Sequence, residues 1–270
     1  MDRQNVCFGF IGTGNMGSAL ARAVRRRLDG SQILLANQTM EKASRLAEEL
    51  DAMAVDNHAV AREADYIFLG VKPQVMEDML KKIAPVLALR GKSFILVTMA
   101  TGLTIAKIQE MAGGKYSVIR IMPNTPVSIG EGMVLYTCSN DVAGEDRKLF
   151  LDVCGEAGRF SEIEEFRMDA GSAVAACGPA FADIFLEAMA DGGVACGLPR
   201  KQALELSAQM MIGAMKLALE SGQHPGVLKD AVCSPGGTTI QGVRKLEQAG
   251  FRGAVMDAVI AAYERTLELK

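Results

Sequence analysis

The sequence predicts an α/β fold: a doubly wound parallel sheet over residues 1–163, followed by an all-helical domain over residues 164–270. Three observations carry that expectation. Short apolar runs alternate with stretches of helical spacing through residue 162. The first run ends in a glycine-rich turn that opens a helix. Beyond Glu162 the period-two texture disappears.

Val6 to Ile11 is the first strand and Ser18 to Leu28 the first helix. Ile33 to Ala36 and Glu41 to Leu50 repeat the pair, and Ala54-Val55 is a short third strand. Tyr66 to Val71 (YIFLGV), Phe94 to Met99 (FILVTM) and Val118 to Met122 (VIRIM) complete six strands. Runs apolar at nearly every position suit strands covered on both faces. Their regular alternation with helices is the doubly wound pattern.

From Phe166 onward apolar residues recur at spacings of three and four, as in Phe181, Ile184, Phe185, Ala188 and Met189. Breaks at Gly197-Leu198-Pro199, Pro225-Gly226 and Ser234 to Gly237 divide this region into four or five helices. Gly171 to Ala180 (GSAVAACGPA) carries almost no bulk, so helices can approach closely there. A helical domain this apolar is expected to cover one face by self-association, as a dimer or higher assembly.

Composition limits what the chain does. Twenty-nine basic and 32 acidic residues give a formal charge of −3, which points to no nucleic-acid or anionic-membrane partner. Arg25 to Arg27 is basic but ends a helix, where positive charge suits the helix dipole. Six cysteines without a Cys-x-x-Cys pair, and only two histidines, argue against a metal site. No uninterrupted apolar run reaches the roughly 18 residues that span a bilayer. No signal peptide is evident and the cysteines look unpaired, so a reducing cytoplasm is expected.

Gly12, Gly14 and Gly17 form G-x-G-x-x-G between the first strand and the first helix. Gly12 permits the tight turn, Gly14 lets a pyrophosphate approach the backbone, and Gly17 lets helix and strand pack closely. In that context the motif predicts a Rossmann-type dinucleotide site built on Ile11, Gly12, Gly14, Asn15, Met16 and Gly17. The second strand ends in Ala36-Asn37-Gln38-Thr39, without the carboxylate that takes the ribose hydroxyls in NAD-type sites. Nothing there repels a 2′-phosphate, so NADP(H) is favoured over NAD(H).

Further segments are more specific. Val71-Lys72-Pro73 follows the fourth strand and Met122-Pro123-Asn124-Thr125-Pro126 the sixth. Cys177-Gly178-Pro179-Ala180-Phe181, Asp191-Gly192-Gly193-Val194, His224-Pro225 and Leu228 to Thr239, with its Ser234-Pro235-Gly236-Gly237-Thr238-Thr239, follow in the helical part. In order and spacing these resemble the pyrroline-5-carboxylate reductases over nearly the whole chain.

The resemblance implies NAD(P)H-dependent reduction of a cyclic imine to L-proline. It implies a substrate carboxylate held by Gly236, Gly237 and Thr238, chiefly through the Gly237 and Thr238 amides, and Thr239 near the ring nitrogen as the catalytic group. Glu165 is implied as a further substrate contact. Asn37, Gln38, Asn57, Val71, Lys72, Pro73, Ala100 and Thr101 are implied as cofactor neighbours. Two glycines before a helix can form a nest of N–H donors, a carboxylate receptor that needs no arginine. The same segment can also be a simple helix cap with Thr238 or Thr239 as N-cap. Three positions depart from the family pattern: Gln38 where arginine is usual, Ala231 where asparagine is frequent, and Cys177 where serine is common.

Other readings are a 3-hydroxyacid-dehydrogenase-like enzyme, an imine reductase with a shifted substrate, and a non-catalytic nucleotide sensor. The first needs a lysine in the first long helix of the second domain, and Asp169 to Asp191 has none. Turnover with NADPH separates an enzyme from a sensor.

Overall fold

The computed structural model describes residues 5–268. Its centre is an eight-stranded sheet ordered β3-β2-β1-β4-β5-β6-β7-β8. The strands are β1 (Phe8–Ile11), β2 (Ile33–Ala36), β3 (Met53–Ala54), β4 (Tyr66–Leu69), β5 (Ile95–Thr98), β6 (Ser117–Met122), β7 (Gly132–Cys138) and β8 (Gly158–Glu162). β3 to β6 are parallel, with Phe8 opposite both Ile33 and Tyr66. The all-parallel expectation fails at one edge: β7 runs antiparallel to β6, and β8 pairs parallel to β7. Neither of these last two strands was expected from the sequence, although β7 (GMVLYTC) is itself a largely apolar run. β8 (GRFSE) is a half-exposed edge strand with one large apolar residue.

Successive residues of one strand feed opposite cores, which is why the strand sequences are apolar throughout. Phe8, Phe10, Ile33, Leu35, Tyr66 and Phe68 lie in one cluster. Ile11, Leu34, Ala36, Ile67 and Leu69 lie in the other. The first core contains stacked rings, Phe8 on Tyr66 at 4.6 Å and Phe10 on Phe68 at 4.4 Å between centroids. It is closed by α1 (Asn15–Arg25), α2 (Met40–Leu50) and α6 (Gly144–Cys154). The second is covered by α3 (Asn57–Glu63), α4 (Pro73–Ala88) and α5 (Ile105–Ala112).

The chain then becomes helical: α7 (Met168–Ala175), α8 (Gly178–Ala195), α9 (Arg200–Ser221), α10 (Pro225–Ala231), α11 (Thr238–Gln248) and α12 (Phe251–Glu268). Six α-helices replace the expected four or five, because α7 and α10 are too short to show a period. The molecule divides into two compact units, Met1–Ala176 with Tyr263–Lys270, and Cys177–Ala262. In the first, α7 lies on the sheet: Met168 shares a small core with Met122 and Leu135. In the second, α8 packs on α9 through Gly193 and Ala203, and Phe185 meets Phe251 at 5.7 Å.

α8 and α9 bury few residues, chiefly Ala190, Ala203 and Ser207. Ile184, Leu204, Met215 and Leu219 stay exposed in the single chain. Residues 165–195 are long and apolar enough to cross a membrane by length and composition, an 18-residue window within them reaching a mean hydropathy of 1.5. This departs from the expectation drawn from uninterrupted runs. The apolar character comes from Ala together with Val174, Phe181, Ile184, Phe185 and Leu186, and the stretch is interrupted between α7 and α8.

Candidate active site

β1 and β4 are sheet neighbours from which the strand order departs in opposite directions, and ligands of such sheets bind beyond the carboxyl ends of the strands at that point. The glycine turn lies there. Gly12 has φ +103° and donates to the Ala36 carbonyl at 2.8 Å. A Cβ at Gly12 would come within 2.7 Å of the Gly70 backbone, and one at Gly17 would fall on the Gly12 carbonyl oxygen. A Cβ at Gly14 would meet nothing within 4 Å, so the turn is open on that side.

The cradle fits an anion. Gly14 is the N-cap of α1 with no side-chain cap, and the first turn contains no acidic residue. The first N–H groups of α1 are therefore left for a phosphate. Asn15 and Met16 begin the helix, Asn15 exposed and Met16 packed against the core.

The other residues expected near a cofactor stand at neighbouring element ends. Asn37 follows β2, donates from Nδ2 to the Thr13 hydroxyl at 2.8 Å, and accepts the Thr39 amide at 3.0 Å. Gln38 beside it is exposed. Val71, Lys72 and Pro73 lead from β4 into α4, with exposed Lys72 as N-cap and Pro73 at the first helical position. Ala100, buried, and Thr101, exposed, follow β5. Asn57 is the first residue of α3, whose cap is Asp56 accepting the Ala59 amide at 2.7 Å.

Ser234 to Gly237 is a tight turn closed by the Gly237 amide donating to the Ser234 carbonyl at 3.0 Å. The left-handed residue is Gly236, φ +70°, whereas Gly237 has φ −71°. The simple cap on Thr238 or Thr239 is not what forms: Gly237 is the N-cap of α11, without a side-chain cap, and Thr238 and Thr239 open the helix. Because the Gly237 N–H is already used in the turn, the orphan donors here belong to the first residues of α11. Thr239 is exposed in the single chain.

Glu165 is held within the first unit. Its Oε1 accepts the Ile105 amide at 2.7 Å and the Arg120 Nη1 at 3.3 Å. Arg120, 2% exposed, also pairs with Asp169 at 3.6 Å. Sequence reasoning missed Arg120, Asp169 and two further organising residues. Thr13 anchors Asn37. Asn124 ties the turn after β6 to its neighbours, donating to the Ala175 carbonyl and accepting the Met133 amide, both at 2.9 Å. A lone arginine inside an apolar strand was the available signal for Arg120.

Cavities of about 480 Å³ also occur elsewhere. One, at the amino ends of β5 and β6, is lined by Arg90, Lys92, Lys115 and Tyr116. Two of its cations are already engaged: Lys92 with Asp65 at 2.7 Å, Arg90 with the Ala61 and Ala64 carbonyls. No cluster of three potential metal ligands occurs among the described residues.

Comparison with known proteins places this geometry. Residues 165–269 match the family model for pyrroline-5-carboxylate reductase dimerisation, and residues 7–100 match a model described as NADP oxidoreductase, coenzyme F420-dependent. The pyrroline-5-carboxylate reductase of Glycine max is 40% identical over 98% of this chain and 97% of its own. That of Escherichia coli is 38% identical over 97% of each. The Plasmodium falciparum pyrroline carboxylate reductase, solved with NADP bound, superposes with a TM-score of 0.87 at 32% identity, covering 98% of both chains. The Coxiella burnetii enzyme gives a TM-score of 0.90 at 27% identity, covering 100% of this chain and 99% of that one. The chain belongs to the pyrroline-5-carboxylate reductase family.

Proposed function

We propose that the chain reduces the cyclic imine of pyrroline-5-carboxylate to L-proline, with NADPH preferred to NADH. The observation that carries the substrate assignment is the likeness to named reductases along the whole chain, through both compact units. NADPH is favoured by the neutral Ala36-Asn37-Gln38-Thr39 end of β2 and by the NADP held in the Plasmodium relative. The experiment is direct: NADPH oxidation at 340 nm with pyrroline-5-carboxylate, compared with NADH in kcat/KM.

When bound, the nicotinamide supplies the hydride, which goes to the imine carbon while the ring nitrogen takes a proton. Gly12, Gly14 and the first turn of α1 hold the pyrophosphate, with Ile11, Asn15, Met16 and Gly17 shaping the cradle. Asn37 and Gln38 border the adenosine ribose. Asn57, Val71, Lys72, Pro73, Ala100 and Thr101 complete the cofactor's surroundings. Gly236 and Gly237 shape the turn, and the Thr238 and Thr239 amides receive the substrate carboxylate. The Thr239 hydroxyl hydrogen-bonds the ring nitrogen and orients it. A hydroxyl is a weak acid, so the proton comes through it from water. Alignment does most of the work, which suits a set of residues poor in His, Asp and Glu.

The proposed assembly is a homodimer or higher through the helical domain of residues 164–270. The dimerisation model over 165–269 and the exposed apolar residues of α8 and α9 support it. It also gives the apolar 165–195 stretch a protein partner in place of lipid. The proposed location is cytoplasmic, in keeping with six free cysteines.

A further inference from the structure

Arg120 is the largest fully buried side chain. It stands in β6 opposite Thr98 of β5, on the face that α5 covers. Its charge is met by two carboxylates from one short segment, Glu165 at 3.3 Å and Asp169 at 3.6 Å, while its Nε–H finds no acceptor among the described residues. A buried guanidinium held so sparingly depends on both carboxylates.

Glu165 has a second task. Its Oε1 also accepts the amide of Ile105, the first residue of α5, at 2.7 Å. Thr104, the N-cap, satisfies a different amide, that of Lys107. Glu165 therefore caps α5 from sixty residues away in sequence. The segment just before α5 is the loop Met99 to Thr104, which contains Ala100 and Thr101 and turns at Gly102 with φ +79°.

We propose that Glu165 and Arg120 are positioning residues. The Arg120–Glu165–Asp169 cluster clamps the start of α5 to β6 and α7, and so fixes the 99–104 loop against the nicotinamide end of the cofactor. Glu165 then acts through the loop rather than on the substrate. This rests on the reading of Ala100 and Thr101 as cofactor neighbours. A loop freed at one end still allows the cofactor to dock by its pyrophosphate, but it loses the ring alignment on which hydride transfer depends.

The test is Glu165→Ala and Glu165→Gln in the full chain. The Glu165 side chain is one-third exposed, and glutamine keeps an acceptor for the Ile105 amide, so Glu165→Gln is the conservative variant and both are checked by thermal unfolding. The same preparations are measured for thermal midpoint, for amide exchange of residues 100–108 by mass spectrometry, for NADPH affinity and bound-NADPH emission, and for kcat and KM with the imine. The clamp predicts at least tenfold faster exchange in 100–108 for the alanine variant, with a smaller effect for glutamine, which keeps one acceptor. It predicts NADPH affinity within threefold of the parent, weaker bound emission, and kcat down at least tenfold with the imine KM little changed. Unchanged exchange with a raised imine KM would overturn the proposal in favour of direct substrate contact. A lowered thermal midpoint with normal kcat and normal emission would overturn it in favour of a purely structural ion cluster. If the parent itself fails to reduce the imine, the functional reading falls, and exchange and emission still decide the clamp.

Discussion

Asn37 bridges the end of β2 and the glycine turn: its Nδ2 donates to the Thr13 hydroxyl across 2.8 Å while its Oδ1 accepts the Thr39 amide. Thr13 is itself buried, between Gly12 and Gly14. One amide thus sets the height of the phosphate turn against the start of α2. Asn37→Ala removes both bonds, each worth about 1 kcal/mol. NADPH affinity should fall about five- to thirtyfold with kcat changed little, as read by titration calorimetry and steady-state kinetics. Unchanged affinity would remove Asn37 from the cofactor cradle.

Gly14 and Gly17 should separate binding from folding. Added methyl at Gly14 meets open space, so Gly14→Ala should keep the parent thermal midpoint while NADPH binding weakens at least tenfold, because the backbone can no longer be approached closely. Added methyl at Gly17 strikes the Gly12 carbonyl. Gly17→Ala should lose about 1–3 kcal/mol of stability whether or not cofactor is present. Thermal denaturation with and without NADPH distinguishes the two.

The Ser234–Thr239 segment gives a paired prediction. Gly236→Ala forces a side chain into a φ of +70° and should cost about 1–2 kcal/mol. Gly237 has an ordinary φ, and its Cβ is opposed mainly by Ser234. Gly237→Ala should therefore be better tolerated in a Ser234→Ala background than alone. Thr239→Ala should lower kcat roughly ten- to a hundredfold, the worth of one hydrogen bond to the reacting nitrogen, with the thermal midpoint unchanged. Thr239→Ser should retain most activity. A Thr239→Ala protein with full kcat would leave the hydroxyl without a role.

How legible these features were depended on how local their cause is. Five of the six parallel strands were legible because each is a short apolar run buried on both faces; the sixth, β3, is a two-residue exposed edge strand. The turn at Gly12 was legible because three glycines at fixed spacing meet three local steric demands. β8 was not, since an edge strand such as GRFSE carries no apolar pattern. In the Ser234–Gly237 turn the left-handed residue is Gly236 and not Gly237: the composition Pro-Gly-Gly is visible in sequence, but which glycine turns depends on the Ser234–Gly237 hydrogen bond. Glu165 was placed by resemblance as a substrate contact. Its bonds to Ile105 and Arg120 join residues 60 and 45 positions apart, and no local pattern announces such a pairing.

Thiol chemistry offers a pH test. The Cys7 thiol is pushed up to about 12, by burial first and then by the nearby Asp65 and Glu63 carboxylates. Burial likewise raises Cys138 to about 11 and lifts Cys154. A raised folded-state value favours the neutral thiol, so the stabilisation is complete below the unfolded value near 8.5 and is lost as pH rises through about 12. Cys7 and Cys154 should resist iodoacetamide at pH 8 until the protein unfolds, and stability should decline above about pH 9. Rapid labelling of Cys7 in the folded protein at pH 8 would contradict this.

Hydride transfer to a cyclic imine is the reaction proposed for this chain. It is tested most directly by mixing purified protein, NADPH and pyrroline-5-carboxylate, and following 340 nm absorbance together with proline by chromatography. NADPH should be lost one for one with the appearance of L-proline, with kcat/KM for NADPH at least equal to that for NADH. NADPH binding without turnover, or oxidation that yields no proline, would contradict it.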